Sequence, residues 1–106
     1  MSEARAEVTI RHHAQGQGGK YVAEIEGSRF TGTLEWEPAD RPAGDVRIAT
    51  HTIVPREIGG RGIARQLVER LVADARTQGF VIVPQCSYVA RMFDRHPEWA
   101  TLRGRV

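Results

Sequence analysis

Cysteine occurs once in the 106 residues, at Cys86. No disulfide can form within the chain, and a lone thiol fits a reducing, cytoplasmic setting. Charge is scarce in excess: the formal net charge is +2, with both signs spread along the sequence, so no basic face points to nucleic acid. No apolar run approaches the roughly 20 residues that a bilayer-spanning helix needs. The first residues, Met1–Arg5, lack the apolar centre of a signal peptide. His12, His13 and His96 show no metal-ligand spacing with Cys86, so no metal is assigned. There is no internal repeat and no low-complexity segment. At this length the chain reads as one domain, residues 1–106, able to bury a modest core without staples. A monomer or a weak dimer is expected.

What is present is an alternation of short strands followed by one strong helix. Residues 6–11 alternate weakly around Val8 and Ile10. Residues 12–20, with Gly16, Gly18 and Gly19, read as a linker or turn. Tyr21, Ala23 and Ile25 share one strand face. Glu26-Gly27-Ser28 is a hairpin turn, and Phe30, Gly32, Leu34 and Trp36 share the next face. Residues 38–44 read as a loop. These three strands make an antiparallel meander. Val46–Val54 is a fourth strand whose apolar parity slips between Thr50 and Ile53, which predicts a bulge near His51-Thr52. A helix from about Gly62 to Gln78 carries Ile63, Ala64, Leu67, Val68, Leu71, Val72 and Ala75 on one stripe, with Gly79 as its C-terminal cap. Phe80–Val83 is continuously apolar, which reads as a strand covered on both faces. Ser87–Arg95 is a second helix, capped by Ser87 and stopped by His96-Pro97. Residues 98–102 form a short final segment in which Trp99 and Leu102 pack. Strand, helix and strand in succession make a parallel crossover, so the fold class is α/β (α+β): a meander, a β-α-β unit and a C-terminal helix.

Ligands of such sheets bind beyond the carboxyl ends of the parallel strands. That end of the sheet holds the Gly59–Gly62 turn and Pro84–Tyr88. Glycines let a backbone approach a ligand closely, and the first amides of the following helix have no intrahelical partner. With Arg56, Arg61 and Arg65 around them, they make an anion site suited to phosphate. The spacing is not that of a P-loop, because no Gly-Lys-Ser/Thr follows. The dinucleotide fingerprint fails too, since Arg65 stands where its third glycine would be.

Gly59–Ala64 resembles the pyrophosphate-binding motif of the GNAT N-acetyltransferases, Gln/Arg-x-x-Gly-x-Gly/Ala. The match is at Gly62 and Ala64. It departs at Gly59, which removes a side-chain contact and leaves the amides. The bulge that the parity predicts has a counterpart in that family, where it turns backbone groups toward the acetyl thioester. Across residues 19–99 the chain also resembles a small, truncated branch of the family (YjdJ-type). The shared segments are Tyr21–Gly27, His51–Val54, Gly60–Ala64, Pro84–Tyr88 and His96-Pro97. The resemblance implies a minimal GNAT-like fold and binding of acetyl-coenzyme A or coenzyme A. The residues it implies for that binding are Ile53, Val54, Gly59, Gly60, Arg61, Gly62, Ile63, Ala64 and Arg65. It also implies transfer of acetyl to an amine, small-molecule or protein, that the sequence does not name.

Acetyl transfer needs an acceptor freed of its proton, a polarised carbonyl and an acid for the leaving thiolate. Larger relatives commonly use a tyrosine of the last helix as that acid. Here the equivalent place holds Phe93, and Tyr88 is the nearer hydroxyl. The branch resemblance points instead to Cys86 as a nucleophile that takes the acetyl group first. A thiolate is then required, which a helix N-terminus and an imidazole favour; His51 is the candidate imidazole. The bland readings stand beside these: Cys86 as a small buried apolar residue, His51 as polar surface, Tyr88 packed with its hydroxyl at the rim, Trp36 and Trp99 as core or rim. A non-catalytic acetyl-coenzyme A binding module or sensor is the alternative function.

Overall fold

The computed structural model describes residues 7–39 and 45–104. The expected loop over residues 40–44 and the start of the first strand lie outside the described residues. Five strands form a single sheet in sequence order: β1 (Val8–Gln15), β2 (Gly18–Ile25), β3 (Thr31–Pro38), β4 (Val46–Ile53) and β5 (Val81–Pro84). The first four are antiparallel neighbours and β5 lies parallel to β4. Helix α1 (Ile63–Gln78) makes the crossover between β4 and β5, and α2 (Ser87–Arg95) follows β5. A 3-10 helix, Pro97–Leu102, closes the chain before Arg103 bridges Ile82 at the sheet's edge. The meander, crossover and C-terminal helix are the architecture expected from the sequence.

Period-two alternation sets the core face. Tyr21, Ala23, Ile25, Leu34, Ala49 and Ile82 are all buried on one side of the sheet. Against them pack Ile63, Leu67, Val68, Leu71, Val72 and Ala75 of α1, and Val89, Met92 and Phe93 of α2. The closest approach is at Gly32, where a Cβ would lie 2.9 Å from Ile63 Cγ2. A larger residue there would push the first turn of α1 off the sheet, so Gly32 helps to place the helix end that matters below. Both helices therefore cover the same face. Among the described residues no helix covers the other, where Val81 and Val83 are only half-buried. The expectation that β5 is covered on both faces is corrected accordingly: in the apolar run 80–83, Phe80 and Ile82 carry the deep burial, while Val81 and Val83 on the other face do not.

Three local expectations also shift. The glycine-rich stretch is strand rather than linker, because β1 runs to Gln15 and β2 begins at Gly18, leaving a two-residue turn at Gly16-Gln17. Gly19 is there because the His12 and Trp36 side chains meet over it; a Cβ would lie 2.6 Å from His12 Nε2 and 2.8 Å from Trp36 Nε1. The bulge exists but sits earlier. Trp36 pairs with Ala49 and Glu35 with His51, so Thr50 is the extra residue. The cap of α2 is Cys86, not Ser87, which is already the first helical residue.

A candidate acyl-transfer site at the fork of β4 and β5

The anion turn is built from the end of β4 outward. Ile58, in the single 3-10 turn Arg56–Ile58, is buried and anchors the loop. Gly60 and Gly62 both take left-handed φ, +75° and +72°, a region costly for a residue with a Cβ. Gly62 is the N-cap of α1 and offers no side-chain cap. The first helical hydrogen bond runs from Gln66 N–H to the Gly62 carbonyl, 3.1 Å. The amides of residues 60–65 thus make no backbone hydrogen bond among the described residues. Six successive donors around two left-handed glycines form a concavity for an anion, at the positive end of a 16-residue helix. The Arg65 guanidinium lies over it, since a Cβ at Gly62 would be 3.5 Å from Arg65 Nη2. Arg65 also reaches Glu69 at 3.9 Å, and Arg56 and Arg61 are exposed at the rim.

Of the residues expected to hold coenzyme A, Gly59, Gly60, Arg61, Gly62, Ile63, Ala64 and Arg65 therefore form one continuous unit. Ile63 contributes through its amide, as its side chain is core. Val54 is half-buried beside Gly32, on the helix face. Ile53 is placed differently: its side chain is 58% exposed and pairs with Thr33 on the helix-free face.

The second half of the site lies where β4 and β5 part. Their parallel ladder runs from Val46↔Val81 to Ala49↔Pro84. One further bond, Cys86 N–H to the Ala49 carbonyl at 2.9 Å, closes it. Beyond this rung β4 continues to Ile53 while the chain of β5 turns into α2, opening a fork with Cys86 at its apex. The Thr50 bulge stands at the same level, its hydroxyl donating to the Glu35 carbonyl at 3.2 Å.

The bulge decides which side chain faces the thiol. Without an extra residue, His51 would follow Ala49 onto the helix face. With it, His51 turns to the helix-free face opposite Glu35, and Thr52 turns to the helix face opposite Leu34. Thr52 Oγ1 consequently lies 3.5 Å from Cys86 Sγ. The structure does not bring His51 to Cys86; it brings Thr52, which the sequence reading passed over. Locating the bulge one step earlier, at the first residue to break the parity of Val46 and Ile48, was the signal available.

Cys86 is half-buried at the N-cap of α2. Burial by itself would raise its pKa. Hydrogen bonds from the Thr52 hydroxyl, the Val89 and Tyr88 amides and the Thr52 backbone outweigh burial and hold the thiol below its ordinary value. Tyr88 is half-buried in the first turn of α2, with the Arg91 guanidinium 6.0 Å from its ring centroid. Phe93 is 4% exposed and packs edge-on against Trp99 at 5.3 Å, a core role with no proton to offer.

An ionisable, hydrogen-bonded thiol at a sheet fork, at the same end of the sheet as an amide-lined turn, is an arrangement that can hold a phosphate-bearing thioester and accept its acyl group. No curated protein matches the chain. The family model for GCN5-related N-acetyl-transferase matches residues 20–102, from the third residue of β2 to the last residue of the 3-10 helix. The chain belongs to the GCN5-related N-acetyl-transferase family.

Proposed function

We propose that this protein transfers an acetyl group from acetyl-coenzyme A to an amine, by way of Cys86. The family generally uses acetyl-coenzyme A, and the residues present fit that group. The unpaired amides of residues 60–65 and the Arg65 guanidinium match a pyrophosphate in charge and in donor number. When bound, acetyl-coenzyme A supplies an activated acetyl thioester. The observation that carries the reading is the Cys86–Thr52 contact at the helix N-terminus. It favours the thiolate, the form in which cysteine attacks a carbonyl. Cys86 accepts the acetyl carbon on Sγ and later gives it to the amine. Tyr88, the nearest phenol along the chain, is the group we assign to proton delivery. The buried Phe93 weighs against the direct route, because it removes the hydroxyl that route would use. The acceptor is a small-molecule or protein amine, and the domain that does this is the whole of residues 1–106.

Intact-protein mass spectrometry after incubation with acetyl-coenzyme A tests this. One acetyl mass should appear on the parent and none on Cys86→Ala. Coenzyme A should raise the Tm of both by mass action on the native state. It should not stabilise Gly62→Asp, whose carboxylate would sit among the amides. Gly79→Ala, equally strained at the other end of α1 (φ +80°), should lose stability yet keep the shift. A chain stabilised by coenzyme A that never acquires the acetyl mass would be a binding module or sensor instead.

A further inference from the structure

The sheet has two edges, and the chain treats them differently. Beyond β5 the Gly104 N–H donates to the Ile82 carbonyl at 2.7 Å, so backbone from the end of the chain covers that edge. The other edge is β1. Its two-residue turn makes Gln15 and Gly18 a hydrogen-bonded pair of the β1–β2 ladder. The Glu26 N–H on the Glu7 carbonyl, 2.9 Å, sets the same phase at the far end. The odd-numbered residues of β1 therefore bond β2. The N–H and C=O groups of Val8, Ile10, His12 and Ala14 point outward, away from the sheet.

An outward row of this kind is a template for another strand. The usual deterrents are weak in β1. It is eight residues long, contains no proline and keeps unbroken register with β2. Its histidines are neutral at pH 7. Its one permanent charge, Arg11, is already paired with Glu24 at 3.1 Å. Among the described residues, one outward group has a protein partner: Arg70 Nη1 of α1 donates to the Ile10 carbonyl at 2.9 Å. The guanidinium is fixed in that place. Its Nε lies 3.2 Å from Asp74 Oδ1, and its carbon lies 5.6 Å from the centroid of the Tyr21 ring. The Tyr21 hydroxyl holds the same carboxylate at 2.7 Å.

We propose that Arg70 guards this edge: by occupying the Ile10 carbonyl it keeps β1 from pairing with β1 of a second copy of the chain. Ile10 is an inner rung of the outward row. An antiparallel copy that uses it must displace the guanidinium. With Ile10 taken, Val8 stands alone on one side and His12 and Ala14 remain on the other, too short a run for a stable two-stranded ladder. A second copy is the occupant that fits. Antiparallel pairing of one strand with itself is two-fold symmetric, so each favourable contact forms twice.

Sedimentation equilibrium of the full chain tests this. The parent should behave as a monomer or a very weak dimer. Arg70→Met keeps the aliphatic stem and loses the donor. It should lower the dimer dissociation constant about tenfold or more. Adding Ala14→Pro should abolish that gain. The Ala14 N–H points outward, so a proline there costs no bond to β2 and blocks a rung to the copy. Asp74→Asn keeps an acceptor for Tyr21 but releases the guanidinium. It should associate more than the parent, again reversibly by Ala14→Pro, and it decides the question if Arg70→Met folds poorly. Amide exchange reads the same geometry. In the parent, the Ile10, His12 and Ala14 amides should exchange faster than those of Thr9, Arg11 and His13. In associated Arg70→Met, the His12 and Ala14 amides should become protected. Variants at Arg70 and Asp74 that stay as monomeric as the parent overturn the proposal. So does association that persists with Ala14→Pro, or a parent that is already a dimer and loses it with Ala14→Pro.

Discussion

Thr52 and His51 are adjacent in the chain, yet they stand on opposite sides of the sheet. The single extra residue at Thr50 separates their roles. Thr52 is the one that touches the thiol, so Thr52→Val should slow alkylation of Cys86 by iodoacetamide near neutral pH, by about three- to tenfold. Thr52→Ser, which keeps the hydroxyl, should restore most of the rate. Rates of all forms should converge at high pH, where any accessible thiol is ionised. His51→Ala should leave alkylation unaltered, because its ring faces away. The same contact has a consequence for stability. The folded-state pKa of Cys86 lies below that of the unfolded thiol. Ionisation therefore stabilises the fold at pH above the unfolded value, and this contribution disappears as pH falls through the folded one. Cys86→Ser should abolish that rise in Tm on the alkaline side.

At the scale of elements, the β1–β2 hairpin is fastened to the rest of the sheet by its side chains as well as its ladder. Trp36 Nε1 of β3 donates to His12 Nε2 of β1 at 3.0 Å, across the glycine at position 19. The His12 ring lies 4.6 Å from Tyr21 and 5.8 Å from Trp36. Arg47 of β4 stacks on Trp36 at 4.2 Å and on Phe80 at 3.9 Å. Burial first, and then the Arg47 charge, hold His12 below its ordinary value of 6.5. A protonated ring would point an N–H at the Trp36 donor. The native state therefore resists a proton that the unfolded chain accepts. Stability should be complete above pH 6.5 and fall as pH drops below it, until the native ring also protonates. His12→Gln keeps an acceptor for Trp36 but does not titrate. Its Tm should decline less than the parent's over the same acid interval.

For the whole molecule, the two layers are also tied on the β1–β2 side of the sheet, two strands across from Thr52. The buried Tyr21 hydroxyl donates to Asp74 Oδ2 at 2.7 Å. Arg70 grips the same carboxylate at 3.2 Å and reaches the Ile10 carbonyl at 2.9 Å. Burial and the Asp74 carboxylate push the Tyr21 pKa up, so the phenol stays protonated and donating. Tyr21→Phe should cost about 1–2 kcal/mol, or roughly 4–8 °C in Tm per kcal/mol for a domain of this size. The thermal shift given by coenzyme A should survive unchanged. Asp74 lies about three helical turns from Gly62, so a loss of layer packing there leaves the amide cradle in place. A Tyr21→Phe protein that no longer responds to coenzyme A would show that the two ends of α1 are coupled.

Periodicity determined much of this protein by itself. The stripe from Ile63 to Ala75 can be buried only as a helix on a sheet, and the alternation through Tyr21–Ile25 and Phe30–Trp36 only as paired strands. The two glycines before α1, with no side chain competing for the amides, marked a run of amides without backbone partners before any coordinates were at hand. Sequence did not decide where the ladder takes up its extra residue. That depends on which backbone groups of β3 and β4 pair best, and Thr50 wins by adding a hydroxyl bond to the Glu35 carbonyl. Nor did it decide that Gly18 and Gly19 are strand, since crowding by Trp36 and His12 comes from residues far apart in the chain. The face that His51 occupies, and so whether an imidazole joins the Thr52 hydroxyl beside the thiol, follows from that one tertiary choice, while Ile53 keeps its side wherever the extra residue falls between Thr50 and Thr52. In a strand of period two, shifting a bulge by one residue exchanges the sides of everything between the two positions.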